Sequence, residues 1–298
     1  MEDGAASNDK VAVRILFVGD VVGAVGRRTL LALLPELRER LRTDFVVVNG
    51  ENAAGGTGIT SKIARGLFAA GVDVITLGNH TYRQREVYKY LDEEPRILRP
   101  ANFLRSQPGH GTCVVESGGV RLGVLSLSGN LYMKLAMPAF PEADAQIHAL
   151  RARADHILVD MHAEATSEKV GLGWHLDGRV TAVVGTHTHV PTNDARVLPG
   201  GTAYITDVGM TGPRGGVIGV RRELAIDSML TQMPARFDTA EDDPWLMGAL
   251  IETAAQPLRA ASIEPVIVAA DGRGLPALDG STAPDGSQAP DGLSAPGR

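Results

Sequence analysis

Short apolar runs alternate with amphipathic stretches along most of this 298-residue chain, and the alternation predicts a succession of strands and helices. RILFV at 14–18 is followed by RRTLLALLPELRERLR at 27–42, whose leucines recur at helical spacing around Pro35, a predicted kink. FVVVN at 45–49 and DVITL at 73–77 predict two more strands, each leading into a helix, over 61–70 and 83–91. Strand and helix in threefold alternation is the signature of a largely parallel sheet, because parallel neighbours need a crossover connection. Beyond residue 110 the pattern changes. CVVESGGVRLGVLSL at 113–127 predicts two strands around Gly118-Gly119, and ARVLPGGTAYIT at 195–206 a second hairpin. HILVD at 156–160 and VTAVV at 180–184 add core strands. The expected fold is α/β, a four-layer α/β/β/α sandwich of two mixed sheets with helices outside. A single doubly wound sheet accounts for the same runs, since sequence does not say which strands share a sheet.

The ends of the chain break this pattern. Residues 1–12 are small and polar and predict a flexible arm before a domain over 13–270. From Asp271 onward Gly, Pro, Ser, Ala and Asp dominate, and Ala-Pro-Asp-Gly at 283–286 recurs at 289–292, so 271–298 is expected to be a disordered tail. MEDGAASNDK has no apolar signal region and no run reaches the length of a membrane span, so neither export nor membrane embedding is expected. A net charge of -6 argues against stable nucleic-acid binding, which needs a clustered basic footprint, but leaves room for a small phosphate ester at a locally positive site. Cys113 is the sole cysteine, which excludes an intrachain disulfide and a thiolate metal cluster and fits a reducing cytoplasm. A homo-oligomer is compatible with all of this.

Polar residues able to bind metal follow five of the predicted strands: Asp20, Glu51-Asn52, Asn79-His80, His162, and His187 with His189. Ligands of open α/β sheets bind beyond the carboxyl ends of strands, so five loops can converge there without disturbing the core. Each residue alone has a plainer reading. Asp20 can cap a helix, Asn79 and His80 can form a turn, and two histidines in GTHTHV can simply face solvent. Gly19, Gly23 and Gly26 lack the spacing of a dinucleotide fingerprint, and the loop AAGGTG after Asn52 lacks the Lys-Ser/Thr ending of a P-loop. A charged Glu51 at the end of a buried strand is harder to dismiss, because a buried carboxylate needs a cation or several donors. Carboxylate, amide oxygen and imidazole without thiolate suit Mn, Fe, Zn or Ni better than Ca or Mg. Asp160 and Glu164 can orient imidazoles or be solvated charges at a helix start, and they are not counted as ligands.

ILFVGDVVG, VVNGENAAGGTGIT, TLGNHTY, DMHAEATSEK, VVGTHTHV and ITDVGMTGP, spread over 13–225, resemble the YmdB-like branch of the calcineurin-like metallophosphoesterases. The resemblance implies a hydrolase, a phosphodiesterase for 2′,3′-cyclic and in some cases 3′,5′-cyclic nucleotides, with two transition-metal ions, most often iron or manganese. It assigns Asp20, Glu51, Asn52 and His189 to one metal and Glu51, Asn79, His162 and His187 to the other, with Glu51 as bridge. It makes His80 the proton donor to the leaving alkoxide, opposite a hydroxide that bridges the metals.

Several positions depart from the wider superfamily. Asp20-Val21-Val22 stands where Asp-x-His is usual, Glu51 where Asp bridges, and Thr81 where an acidic residue follows the Asn-His pair. Lys134, in NLYMKLAMP, replaces an arginine expected on the substrate phosphate, and a lysine cannot make a planar bidentate contact. The same residues are compatible with a phosphomonoesterase or protein phosphatase, and with a metal-binding regulatory protein acting through partners.

Overall fold

The structure is a computed structural model and describes residues 12–133 and 136–276. Residues 1–11 of the predicted arm, 277–298 of the predicted tail, and Lys134 lie outside these. Along the chain, β1 (Arg14–Val18) and β2 (Asp20–Val21) lead into α1 (Gly23–Leu41). Then come β3 (Phe45–Asn49), α2 (Ser61–Ala69), β4 (Val74–Thr76), a 3-10 turn (Arg85–Val87) continuing as α3 (Tyr88–Glu93), and β5 (Ile97–Leu98). β6 (Thr112–Ser117) and β7 (Val120–Ser128) make the predicted hairpin around Gly118-Gly119. α4 (Ala139–Arg151), β8 (His156–His162), α5 (Thr166–Leu176) and β9 (Ala182–Thr186) follow. β10 (Arg196–Val197), β11 (Ala203–Ile205), β12 (Met210–Pro213), α6 (Arg222–Thr231), β13 (Pro244–Thr253) and β14 (Ala260–Ala269) complete the order.

Two mixed sheets form, as the runs predict, which disposes of the single-sheet alternative. The first has the order β2-β12-β13-β1-β3-β4-β5, with β14 paired to β13; the second runs β10-β11-β9-β8-β7-β6. β1, β3, β4 and β5 are parallel to one another, and so are β7, β8, β9 and β11. One unanticipated element is the long hairpin β13–β14, which lies antiparallel against β1 and turns a parallel sheet into a mixed one.

Alternation along each strand explains the layers. In β1 and β3, Leu16, Val18, Val46 and Val48 face α1 and α2, whereas Ile15, Phe17, Phe45 and Val47 face the second sheet. There they meet Leu122, Leu158 and Val184, while Leu125, Val159 and Val183 on the far face pack under α4 and α5. Strands buried on both faces read as continuous apolar runs, which is why they stood out in the sequence.

α1 buries Leu30, Leu33, Leu34, Leu37 and Leu41 at helical spacing and runs through Pro35, which lies on its exposed side. Its first turns press against β12: a Cβ at Gly26 would lie 2.2 Å from Thr211 O, so only glycine permits the approach. α2 starts where Thr60 caps it, its hydroxyl accepting from Ile63 N at 3.2 Å.

Candidate metal centre

The parallel strands of each sheet end at one rim, and that rim carries all eight predicted residues. Asp20 opens β2, Glu51 and Asn52 follow β3, Asn79 and His80 follow β4, His162 ends β8, and His187 and His189 follow β9. The tightest convergence is on His162, which is wholly buried. Its Nε2 lies 3.0 Å from Asn79 Oδ1, 3.1 Å from Glu51 Oε1 and 3.1 Å from His187 Nδ1. One ring nitrogen carries a single proton or a single lone pair, so it cannot satisfy three partners at once. The donor atoms of Glu51, His162 and His187 all lie within 4.8 Å of one another. Four donors aimed at one point fit a metal ion.

A second, looser group lies beside it. Asp20 Oδ1 is 3.8 Å from His162 Nδ1 and 3.9 Å from His189 Nε2, and Asp20 Oδ2 accepts from His187 N at 3.1 Å. Asp20 Oδ1 and Asn52 Oδ1 are buried and have no hydrogen-bond partner among the described residues. Buried acceptors are ordinarily satisfied, so these two fit a second cation as ligands. Asn52 Nδ2 donates to Gly56 O at 2.9 Å, which fixes the amide with its oxygen toward the centre. His80 reaches Glu51 twice: His80 N donates to Oε2 at 3.0 Å, and Nδ1 lies 3.0 Å from Oε1.

Local backbone makes this crowding possible. A Cβ on Gly78 would sit 2.3 Å from His162 Nε2 and 2.4 Å from Glu51 Oε2, so the turn carrying Asn79 and His80 can come this close only through a glycine. His187 and His189 both have left-handed backbone, with φ of 96° and 65°. Non-glycine residues rarely adopt this conformation, and such strain concentrates where function demands it.

Each imidazole is held from behind. Thr186 Oγ1 gives its one proton to Asp160 Oδ1 at 2.7 Å, so it accepts from His162 Nδ1 at 2.9 Å. In the neutral ring this leaves the Nε2 lone pair facing the centre. Asp160 Oδ2 accepts in turn from Asn49 Nδ2 at 2.9 Å and Thr76 Oγ1 at 2.5 Å. Asp160 is therefore a buried strand residue, not a solvated charge at a helix start. Glu164 Oε2 lies 3.0 Å from His187 Nε2, and His189 Nδ1 donates to Ile218 O at 2.8 Å. Thr81, by contrast, turns its hydroxyl onto Gly78 O at 2.6 Å and braces the turn, not His80.

The buried ionisable groups of the centre perturb one another in both directions. Burial raises the carboxyls of Asp20 and of Asp160, the latter to about 6. Burial also opposes charge on Glu51, yet the charge and hydrogen bond of His162, with help from His80, carry it well below the usual range. His162 is lowered by burial but driven up overall, to about 9, chiefly by Glu51. His187 is pushed down to about 3 by burial and by the adjacent His162.

Asn52, Glu51, His80, His187 and His189 line a cleft of about 380 Å³ together with the apolar Val22, Ile218, Val220 and Phe237. A cleft this size suits a small molecule.

Residues 16–266, most of the chain, match the family described as YmdB-like protein. The chain belongs to the YmdB-like family. This YmdB-like chain is 46% identical over 256 residues to the 2′,3′-cyclic-nucleotide 2′-phosphodiesterase of Bacillus subtilis (strain 168), covering 86% of this chain and 97% of that one. The crystal structure of a phosphatase from Mycoplasma pneumoniae superposes with a TM-score of 0.81 at 34% identity, over 87% of this chain and 94% of the other. Haemophilus influenzae NAD nucleotidase, at 12% identity and a TM-score of 0.58, shares the fold; the match covers 87% of this chain and 56% of that one.

Proposed function

We propose that this YmdB-like protein is a metallophosphoesterase hydrolysing small phosphodiesters, with 2′,3′-cyclic nucleotides such as 2′,3′-cyclic AMP as substrate, on two transition-metal ions. The observation that carries this is the convergence of Asn79, Glu51 and His187 on His162 Nε2, beside a second group around Asp20. When bound, the metal ions supply the Lewis acidity that polarises a phosphate and makes water acidic enough to attack it.

The protein's own part is to hold these groups and to move one proton. Asp20, Asn52, His189 and Glu51 would hold one ion, and Glu51, Asn79, His162 and His187 the other. His80 lines the cleft with its side chain 20% exposed, anchored to Glu51 through its backbone N–H. It donates its proton to the leaving 2′-oxygen as the bond from phosphorus to that oxygen breaks and a hydroxyl joins phosphorus, leaving the 3′-monoester. Iron or manganese is the expected pair, given oxygen and imidazole donors without thiolate. The buried free Cys113, and the absence among the described residues of any helix long and apolar enough to cross a membrane, support a cytoplasmic setting.

The test is a substrate panel on anaerobically purified protein, with bound metal measured in parallel. The reading expects 2′,3′-cyclic AMP and bis-p-nitrophenyl phosphate to be hydrolysed faster than p-nitrophenyl phosphate. Metal-loaded protein that leaves both diesters intact would sink it.

A further inference from the structure

We infer that Phe237, which lines the same cleft as Ile218, is the platform on which the nucleobase of the substrate stacks, and that this wall makes the enzyme prefer nucleotides to other small cyclic phosphodiesters. The inference rests on the phosphodiesterase reading and adds a specificity element to it. Phe237 lines the cleft together with Glu51 and His80, yet the ring is 51% exposed and joins none of the three hydrophobic clusters among the described residues. Ile218 is also 51% exposed, and it holds a left-handed backbone with φ of 44°, which a β-branched side chain rarely adopts. Both side chains line the cleft and leave 51% of their surface open. Their apolar surface is left for a ligand.

The placement of this wall is built in. Arg221 N donates to Asp238 O at 3.0 Å and Ala240 N to Gly219 O at 2.9 Å, flanking a bridge between Val220 and Thr239. Phe237 stands one residue beyond this short ladder. Ile218 O takes the proton of His189 Nδ1 at 2.8 Å, which ties the wall directly to a proposed metal ligand. Phosphate at the floor and an aromatic ring on the wall call for a substrate with an anionic end and a flat π face, and a nucleobase supplies that face. Stacking tolerates any base, so the preference should be for nucleotides as a class, not for one base.

The experiment compares 2′,3′-cyclic AMP with glycerol 1,2-cyclic phosphate, which carries the same kind of strained diester and no ring. Phe237→Ala is expected to lower the ratio of kcat/KM between the two by about tenfold, mainly through KM on the nucleotide. Phe237→Trp should restore the ratio. A ratio that survives Phe237→Ala, or an equal loss on both substrates, overturns the inference while the phosphodiesterase reading stands. Wild-type protein inactive on both diesters removes that reading and the inference with it.

Discussion

Lys169 Nζ lies 2.7 Å from Asp207 Oδ2, and both side chains are wholly buried. The same oxygen accepts from Thr188 N at 3.2 Å and Thr188 Oγ1 at 2.6 Å, while Asp207 Oδ1 accepts from Gly209 N at 2.8 Å. Thr188 stands between His187 and His189, so the ion pair pins the strained loop to α5. Removing the lysine leaves a buried carboxylate without its counter-charge. Lys169→Met is expected to cost about 3–5 kcal/mol in urea unfolding, and Lys169→Met with Asp207→Asn to recover most of it. Equal losses in single and double variants would show that packing, not charge, holds the loop.

The role given to His80 separates two kinds of substrate. A ribose alkoxide leaves poorly and needs a proton, whereas p-nitrophenolate leaves without one. His80→Asn is expected to retain its metal and lose about 10²–10⁴ in kcat on 2′,3′-cyclic AMP, with a loss below about tenfold on bis-p-nitrophenyl phosphate. Equal losses on the two would remove His80 from the proton-donor role.

Much of this architecture was legible in the sequence because its strands are buried on both faces. RILFV and FVVVN read as strands directly, and each is followed by a polar residue at the rim, so both the sandwich and the eight residues could be named. β13 and β14 were not anticipated. β14 alternates buried and exposed positions and includes Glu264 and Pro265 in its run, so it lacks the continuous apolar signature of its neighbours. The helix expected over 83–91 begins later, because a 3-10 turn occupies Arg85–Val87. Within the site, no local pattern distinguishes Asp160 on its strand from a solvated acid, or shows that Lys169 points inward to Asp207. Asp160 lies 26, 84 and 111 residues from Thr186, Thr76 and Asn49, and Lys169 lies 38 from Asp207, so only the packed fold brings these partners together.

Glu164 was set aside as a ligand, and its place behind His187 gives it a different task. Its carboxylate lies 3.0 Å from His187 Nε2, on the side of the ring away from the centre. A carboxylate there fixes the tautomer and raises the basicity of the nitrogen that faces a metal. Glu164→Gln is therefore expected to weaken metal binding by about tenfold by isothermal titration while leaving thermal stability of the metal-free protein nearly unchanged. Its side chain is 50% exposed, so little packing is lost. Unaltered metal affinity would reduce the contact to a surface ion pair.

Glu51 and Asn52 are adjacent in sequence but should differ in what their loss removes. Glu51 is the proposed bridge: His162 at 3.1 Å and His80 at 3.0 Å lie on its Oε1, and the backbone of His80 on its Oε2. Asn52 contributes one unpartnered amide oxygen to the looser group alone. Deleting a shared bridge lowers the affinity of both sites, whereas deleting a terminal ligand leaves the tighter group around His162 intact. Metal analysis after gel filtration is expected to give about two ions per chain for wild type, about one for Asn52→Ala, and well below one for Glu51→Ala. Chelation should then narrow the difference in melting temperature between wild type and Asn52→Ala, because part of the wild type's extra stability comes from the second ion binding the folded state. Equal metal content in the two variants would mean that Glu51 serves one ion only, and the division of ligands between the groups would have to be redrawn around Asp20.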